Sequence, residues 1–198
     1  MLKELEEYYK GSIVPPNSPQ SMRVNSILKK IVEAMHRRLR LPNSGKWKST
    51  RFDTEHLDGM QWQVMVVDSK DYDGGALYLT NGTIVLFTRL LEKLKSDAEV
   101  ATVLGHEVVI SVSILLLSRR EMEADYIGMM LMASAGYDPQ LAPTFYESQL
   151  NPSRYHGIFA THPPRHKRAK KLKEPKVMEQ AMAIYSDVTS VHGVRSSI

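Results

Sequence analysis

AEVATVLGHEVVISVSILLLSRREMEADYIGMMLMASAGY, residues 98–137, contains the two groups of polar residues on which the interpretation of this chain depends. A Gly-His-Glu triplet at 105–107 comes first and an uncharged apolar run follows it. An acidic cluster, Glu-Met-Glu-Ala-Asp, then occupies residues 121–125. These two groups can act together only if the chain brings them to the same place.

Two helix starts lie in and beside this stretch. Residues 96–99, Ser-Asp-Ala-Glu, form a capping box, which predicts a helix that carries His106 in its third turn. Residues 118–121 repeat the Ser-x-x-Glu pattern, so they predict a second helix, which ends near Gly136. One continuous helix would place His106 about 22 Å from Glu121, whereas a turn at the second start lets them approach.

Size and composition are those of an ordinary globular domain. The chain has 198 residues, of which 42% are hydrophobic and 24% are charged, and its net charge is +4. It contains no cysteine, which excludes disulfides, cysteine catalysis and thiolate metal sites. A bound metal would therefore need histidine and carboxylate ligands.

The amino terminus, MLKELEEYYK, has neither the apolar core of a signal peptide nor the Arg and Ser content of a transit peptide. We therefore expect that the chain acts where it is made, or that this sequence lacks its natural start. The longest uncharged run, residues 108–118, spans about 16 Å as a helix, which is too short to cross a bilayer. A buried core segment is the expected interpretation of this run.

The residues that precede the first capping box predict a small sheet. Residues 24–39 show a helical apolar period, and 62–67 form an apolar, β-branched strand pattern. Asn81-Gly82 lies between two further apolar runs, which is a strong hairpin signal because both turn residues must accept a positive φ. We therefore expect a small antiparallel sheet before the His-Glu helix.

The overall pattern predicts an α+β fold with one domain. Residues 1–23 are interpreted as an N-terminal tail and linker, because Pro and Ser are frequent there, and 24–198 as a single domain with its core in 62–187. Asp138-Pro139 is typical of a helix start, and a last amphipathic helix is predicted over about 176–187.

A basic run, RHKRAKKLK at 165–173, raises the alternative of a nucleic-acid or membrane-surface module. The run lies on a short predicted helix with few aromatic residues nearby. A solvated helix face explains it better, so we expect no nucleic-acid partner.

His106 and Glu107 are the residues on which chemistry can be argued. Zinc peptidases of the H-E-x-x-H type need two histidines at i and i+4 on one helix face, and the glutamate after the first histidine acts as a general base. Here the i+4 position is Ile110. Taken alone, the His-Glu pair is a weak signal.

Five blocks in order give a more specific indication. They are WQVMVVDSK, LTNGTIVLFTRLLE, VLGHEV after an Asp-Ala-Glu helix start, SRREMEADYIGMMLMASAGYDPQLAP and THPPRHKRA. In this order they resemble the Oma-type mitochondrial inner-membrane metalloendopeptidases of metallopeptidase family 48, which includes the Ste-type prenyl-protein proteases and HtpX. The resemblance covers most of residues 62–187 and implies a mainly helical, zincin-like peptidase domain.

The resemblance also implies roles for particular residues. His106 resembles the first zinc ligand, Glu107 the general base, and Glu121 the carboxylate ligand from the second helix. Asp125 matches the acid that orients a ligating histidine, and His162, in Thr-His-Pro, resembles a late family histidine near the metal. One Zn²⁺ per chain is the implied cofactor.

The implied activity is peptide-bond hydrolysis in protein quality control at the mitochondrial inner membrane. Polypeptides would be the substrates. The resemblance also implies association with the membrane and allows a homo-oligomer.

Departures from the family pattern give the opposite prediction. The segment VVISVSILLL between Glu107 and Ser118 is shorter than in the family, and Ile110 stands where the second histidine is expected. We therefore expect that a segment with this histidine is missing and that the metal site is one ligand short. Gly75 and Arg89 also differ from the family pattern. The alternative function is therefore an inactive family member that binds partners or substrates without cleaving them.

Overall fold

The computed structural model describes residues 2–40, 60–68, 75–79, 81–113, 121–148 and 164–195. In chain order, these residues form α1 (Leu2–Tyr8), α2 (Pro19–Arg40), β1 (Gln63–Val67), β2 (Ala76–Tyr78), β3 (Thr83–Phe87), α3 (Thr88–Leu91), α4 (Asp97–Ser113), α5 (Glu121–Ser134), α6 (Leu141–Ser148), α7 (Arg165–Leu172) and α8 (Pro175–Arg195). The predicted α+β class, mainly helical with a small sheet, is confirmed.

The sheet has three strands in the order β1-β3-β2. Strands β2 and β3 pair antiparallel around Gly82, whose φ of +91° is the positive value that the hairpin requires. The predicted hairpin is therefore confirmed. An entirely antiparallel sheet was the wrong expectation, because β1 pairs with β3 in the parallel direction, from Gln63 opposite Thr83 to Val67 opposite Phe87.

The sequence of β3 explains this order. All five residues of β3 are buried, since they pack on both faces of the sheet, and such a strand belongs in the middle. Ile84 and Leu86 join the main helical core, while Val85 and Phe87 join a smaller cluster on the opposite face. With β2 on one side of β3, the strand β1 occupies the other side, and its direction is set by how the chain crosses over.

The chain that precedes α2 contributes to this sheet. The backbone N–H of Val14 donates to the carbonyl of Val66 at 2.9 Å, and that of Asp68 donates to the carbonyl of Ser12 at 2.7 Å. Tyr9 contacts the ring of Phe87 edge to face. The division into a tail at 1–23 and a domain at 24–198 stays a prediction, but residues 12–14 line the free side of β1.

The helix that carries the Gly-His-Glu triplet begins as the capping box predicts. Ser96 Oγ accepts from the backbone N–H of Glu99 at 3.2 Å, and Glu99 Oε2 accepts from that of Ser96 at 3.2 Å. Helix α4 is mostly buried and packs against α2, α5 and α6. The predicted second helix is also present: α5 begins at Glu121 and packs against α4.

Two short helices, α1 and α3, were not predicted, and the other helices differ from prediction mainly at their ends. Helix α5 is followed by Gly136, with a φ of +84°, as predicted. Helix α6 begins at Leu141 rather than at Pro139, because the Asp138 carboxylate accepts from the backbone N–H of Gln140 at 2.9 Å and holds a turn there. Helices α2 and α8 are longer than predicted. Within the described ranges, no helix combines the length and apolar character needed to span a membrane.

Candidate metal centre

Two glycines bring α4 and α5 together. A Cβ atom on Gly105 would lie 2.9 Å from the carbonyl oxygen of Gly128, and one on Gly128 would lie 2.9 Å from the backbone nitrogen of His106. These obstacles are backbone atoms, so they can move only if a helix moves. The glycine pair therefore sets the closest approach of the two helices, at the residue before His106 and three residues after Asp125.

At this crossing His106 meets Asp125. The imidazole Nδ1 lies 2.8 Å from Asp125 Oδ1, and the two residues are only 5% and 4% exposed. A carboxylate can only accept, so this contact assigns the proton of a neutral imidazole to Nδ1. The lone pair is then on Nε2, which is how a histidine that binds a metal is usually held by its orienting acid.

Arg168 of α7 completes the charge balance at Asp125. Its Nε donates to Asp125 Oδ2 at 2.6 Å, and its Nη2 donates to Oδ1. The arginine is 2% exposed, so this is a buried bidentate ion pair. Burial by itself would raise the pKa of Asp125, but hydrogen bonds from Arg168 and His106, with the positive charge of Arg168, outweigh it and hold that pKa far below its usual range.

Tyr146 of α6 is the fourth member of this buried network. Its hydroxyl donates to Asp125 Oδ1 at 2.9 Å and accepts from Arg168 Nη2 at 2.8 Å. The guanidinium carbon of Arg168 also lies 4.2 Å from the centre of the tyrosine ring. Burial raises the pKa of Tyr146 well above its ordinary value, so the hydroxyl stays protonated and can donate a hydrogen bond to the carboxylate.

The other predicted site residues are placed as follows. Glu107 follows His106 on α4 and is buried. Glu121 is the first residue of α5, one turn before Asp125, and its side chain lies outside the described part of the structure. His162 also lies outside the described residues. The structure therefore brings together His106 and Asp125, while the predicted roles of Glu107, Glu121 and His162 stay predictions.

The residues present fit one corner of a zinc site. His106 offers an oriented imidazole next to a buried carboxylate, which matches the first half of the H-E-x-x-H pattern. One turn later Ile110 packs against the hydrophobic core and has no lone pair to offer. Among the residues that the structure describes, no group of three His, Cys, Asp or Glu side chains could hold a metal ion.

Arg168 and Tyr146 were missed by reasoning from sequence. The basic run 165–173 was interpreted as a solvated face, which is wrong for Arg168. Its spacing did contain a signal, because Ala169 and Leu172 are also buried and Arg168 lies one turn before Leu172. For Tyr146 the signal was weaker: Ala142 lies one turn earlier on the same inward face of α6.

A buried His-Glu pair on one helix, with an aspartate from the next helix hydrogen-bonded to the histidine, is the arrangement expected in part of a zinc-peptidase site. The profile of peptidase family M48 matches residues 24–109 and 108–176. The chain therefore belongs to peptidase family M48.

Curated relatives agree with this family. The chain is 32% identical to the mitochondrial metalloendopeptidase OMA1 of Arabidopsis thaliana, over 94% of the chain and 58% of that protein. It is 29% identical to the protein of the same name from Saccharomyces cerevisiae, over 70% of the chain and 48% of the relative. For the Schizosaccharomyces pombe protein the identity is 24%, over 87% and 58%. The chain thus spans about half the length of the relatives that it matches.

The matches also locate a discontinuity. The two segments of the family profile meet at Val108 and Val109, directly after the His-Glu pair. The alignment with the Arabidopsis relative extends over 281 positions, more than the 198 residues of this chain. The relative therefore has residues with no counterpart here.

Proposed function

We propose that the chain is an Oma-type zinc metalloendopeptidase that takes part in protein quality control at the mitochondrial inner membrane. The observation that carries this proposal is the buried hydrogen bond from His106 Nδ1 to Asp125, because it gives the imidazole the orientation of a metal ligand. The likeness to three mitochondrial metalloendopeptidases supports the compartment and the peptide substrate.

The residues would divide the work as follows. His106 and Glu121 would hold one Zn²⁺, which when bound supplies Lewis-acid activation of a water and of the substrate carbonyl. Glu107 would accept a proton from the attacking water and deliver it to the leaving amide nitrogen, so that the peptide bond breaks without net consumption of the carboxylate. Asp125 would keep the imidazole of His106 in place throughout.

A second function is favoured by a specific observation: an inactive family member that binds polypeptides without cleaving them. Ile110 occupies the i+4 position, and the family profile breaks at Val108 and Val109. Catalytic zinc sites normally have three protein ligands, and the resemblance gives the ligand role to two residues of this chain, His106 and Glu121. In this alternative the half-site would serve the fold rather than the reaction.

The two functions differ in zinc content and in the effect of Glu107. We would purify the chain, measure zinc per chain, and assay cleavage of an unfolded protein for wild type, Glu107→Gln and Glu123→Gln. Glu123 lies exposed on α5, so its variant matches the charge change away from the site. About one zinc per chain and cleavage lost only in Glu107→Gln would support the peptidase. A chain without zinc, whose binding to the unfolded protein is unchanged in Glu107→Gln, would support the inactive member.

A further inference from the structure

The buried network poses a problem of hydrogen-bond assignment at His106 Nδ1. Two neighbours compete for this nitrogen, because Asp125 Oδ1 lies 2.8 Å away and Arg168 Nη2 lies 3.1 Å away. Asp125 can only accept a hydrogen from Nδ1, whereas the guanidinium can only donate one to it. The two contacts require opposite tautomers of a neutral imidazole.

The hydrogens of Arg168 decide which neighbour prevails. Nη2 carries two hydrogens, and it has an acceptor for each: Asp125 Oδ1 and the hydroxyl of Tyr146, which lies at 2.8 Å. With both hydrogens directed to oxygens, the arginine has none left on Nη2 for the imidazole. Nδ1 is then free to donate to Asp125, and the lone pair of the ring stays on Nε2.

We propose that Tyr146 is a positioning residue, whose hydroxyl selects the metal-binding tautomer of His106 by accepting the Arg168 hydrogen that would otherwise be donated to Nδ1. The tyrosine touches neither substrate nor metal in this role and acts through Arg168 and Asp125. Its second hydrogen bond, to Asp125 Oδ1, supports the same arrangement because it holds the carboxylate toward the ring.

Removal of this hydroxyl has a definite consequence. In Tyr146→Phe the ring that packs against the guanidinium remains, but one Nη2 hydrogen loses its acceptor. The nearest alternative acceptor in the network is His106 Nδ1. Donation to Nδ1 moves the imidazole proton to Nε2, and a protonated Nε2 cannot bind a metal.

The tautomer can be measured directly in the metal-free protein. We would label the seven histidines with ¹⁵N, record long-range ¹H–¹⁵N correlations at a pH at which imidazoles are neutral, and assign His106 by the loss of its signals in His106→Gln. Wild type should show a protonated Nδ1 and an unprotonated Nε2. In Tyr146→Phe, Nε2 should be protonated and Nδ1 unprotonated. The fold, checked by circular dichroism, should be retained.

Tyr126→Phe is the matched control. Tyr126 lies next to Asp125 in the sequence, is half-buried, and donates its hydroxyl hydrogen to Gln180 at 2.8 Å, away from the network. Its variant should leave the His106 signals unchanged. A protonated Nε2 in wild type, or a folded Tyr146→Phe protein with unchanged His106 nitrogens, would overturn the proposal.

This inference rests on the proposed function only where it says that the tautomer serves metal binding. The tautomer itself and the peptidase function can therefore fail separately. A wild-type chain that binds no zinc would contradict the peptidase and leave the NMR result intact. If zinc binds, a weaker affinity in Tyr146→Phe than in Tyr126→Phe would be a second sign of the same effect, by roughly the tenfold to hundredfold that outer-shell partners of a metal ligand contribute.

Discussion

Two successive turns of α4 have opposite surroundings. At the first turn, Gly105 and His106 meet α5 at backbone contact distance, and a polar network of three further helices' side chains surrounds the imidazole. At the second turn, about 5.4 Å further along, Ile110 packs against the hydrophobic core. One helix therefore carries a buried polar network at His106 and, one turn later, an ordinary apolar contact at Ile110.

The difference teaches that a network that orients a histidine can be kept in place by the hydrogen bonds among its own members. Asp125, Arg168 and Tyr146 satisfy one another's hydrogen bonds inside the protein, where an unpaired polar group costs far more than at the surface. No metal is needed for this mutual satisfaction. In the part of the chain that the structure describes, the second turn has no such network, and the packing of Ile110 on the core does not demand a histidine at position 110.

The largest expected effect comes from breaking the first turn at Arg168. Arg168→Met keeps the length of the side chain but leaves Asp125 as a buried carboxylate without its cation. Loss of one partner of a buried ion pair costs about 3–5 kcal/mol, so the free energy of unfolding in urea should fall by about that amount. Lys170→Met, an exposed change on the same helix, is the control and should stay within about 0.5 kcal/mol of wild type. Equal losses in both variants would mean that the first turn does not depend on the ion pair.

A smaller effect is expected at the glycine contact. Gly128→Ala places a methyl group 2.9 Å from the backbone nitrogen of His106. Overpacking of this kind costs about 1–3 kcal/mol of folding stability. Intrinsic helix propensity acts in the opposite direction, because alanine favours a helix by about 1 kcal/mol over glycine. A lower midpoint of urea unfolding would therefore report the helix crossing alone. A midpoint at or above that of wild type would show that α4 and α5 can separate at little cost.

Local signals in the sequence were sufficient for several elements of the fold. The Ser96–Glu99 box and the Asn81-Gly82 turn each require only residues a few positions apart, and both occur as predicted. Asp125 was recognised from its place in the family pattern, and its contact with His106 agrees with that role. What these cases share is that the relevant chemistry lies within one turn or one motif.

Contacts between distant residues were not accessible in the same way. Arg168 is one of several basic residues in its run, and only its partner Asp125, 43 positions away, makes it an interior residue. The parallel pairing of β1 with β3 depends on how the chain crosses the sheet, which no local pattern specifies. The Gly105 and Gly128 contact depends on which faces of two helices meet. In each case, packing decided what the one-dimensional pattern left open.

The smallest expected change in stability, and the one that sharpens the comparison most, is a histidine at the second turn. Ile110 is only partly buried, so Ile110→His should lower the free energy of unfolding by about 1 kcal/mol, near the average for point mutations. Residues 106 and 110 lie one turn apart on the same helix face, and two histidines in that spacing are the zinc-binding pair of the H-E-x-x-H pattern. Zinc binding, measured by calorimetric titration, should become tighter by more than the roughly tenfold to hundredfold attributed to outer-shell residues.

Ile110→Gln is the matched control, because it introduces a polar side chain without an imidazole and should lose similar stability. A gain in zinc affinity confined to Ile110→His would mean that the network around His106 is a competent half-site and that the chain lacks only the ligand of the next turn. Equal zinc affinities of the two variants would mean that His106 Nε2 and a histidine at position 110 do not bind the same metal. The two turns would then differ in more than the identity of residue 110.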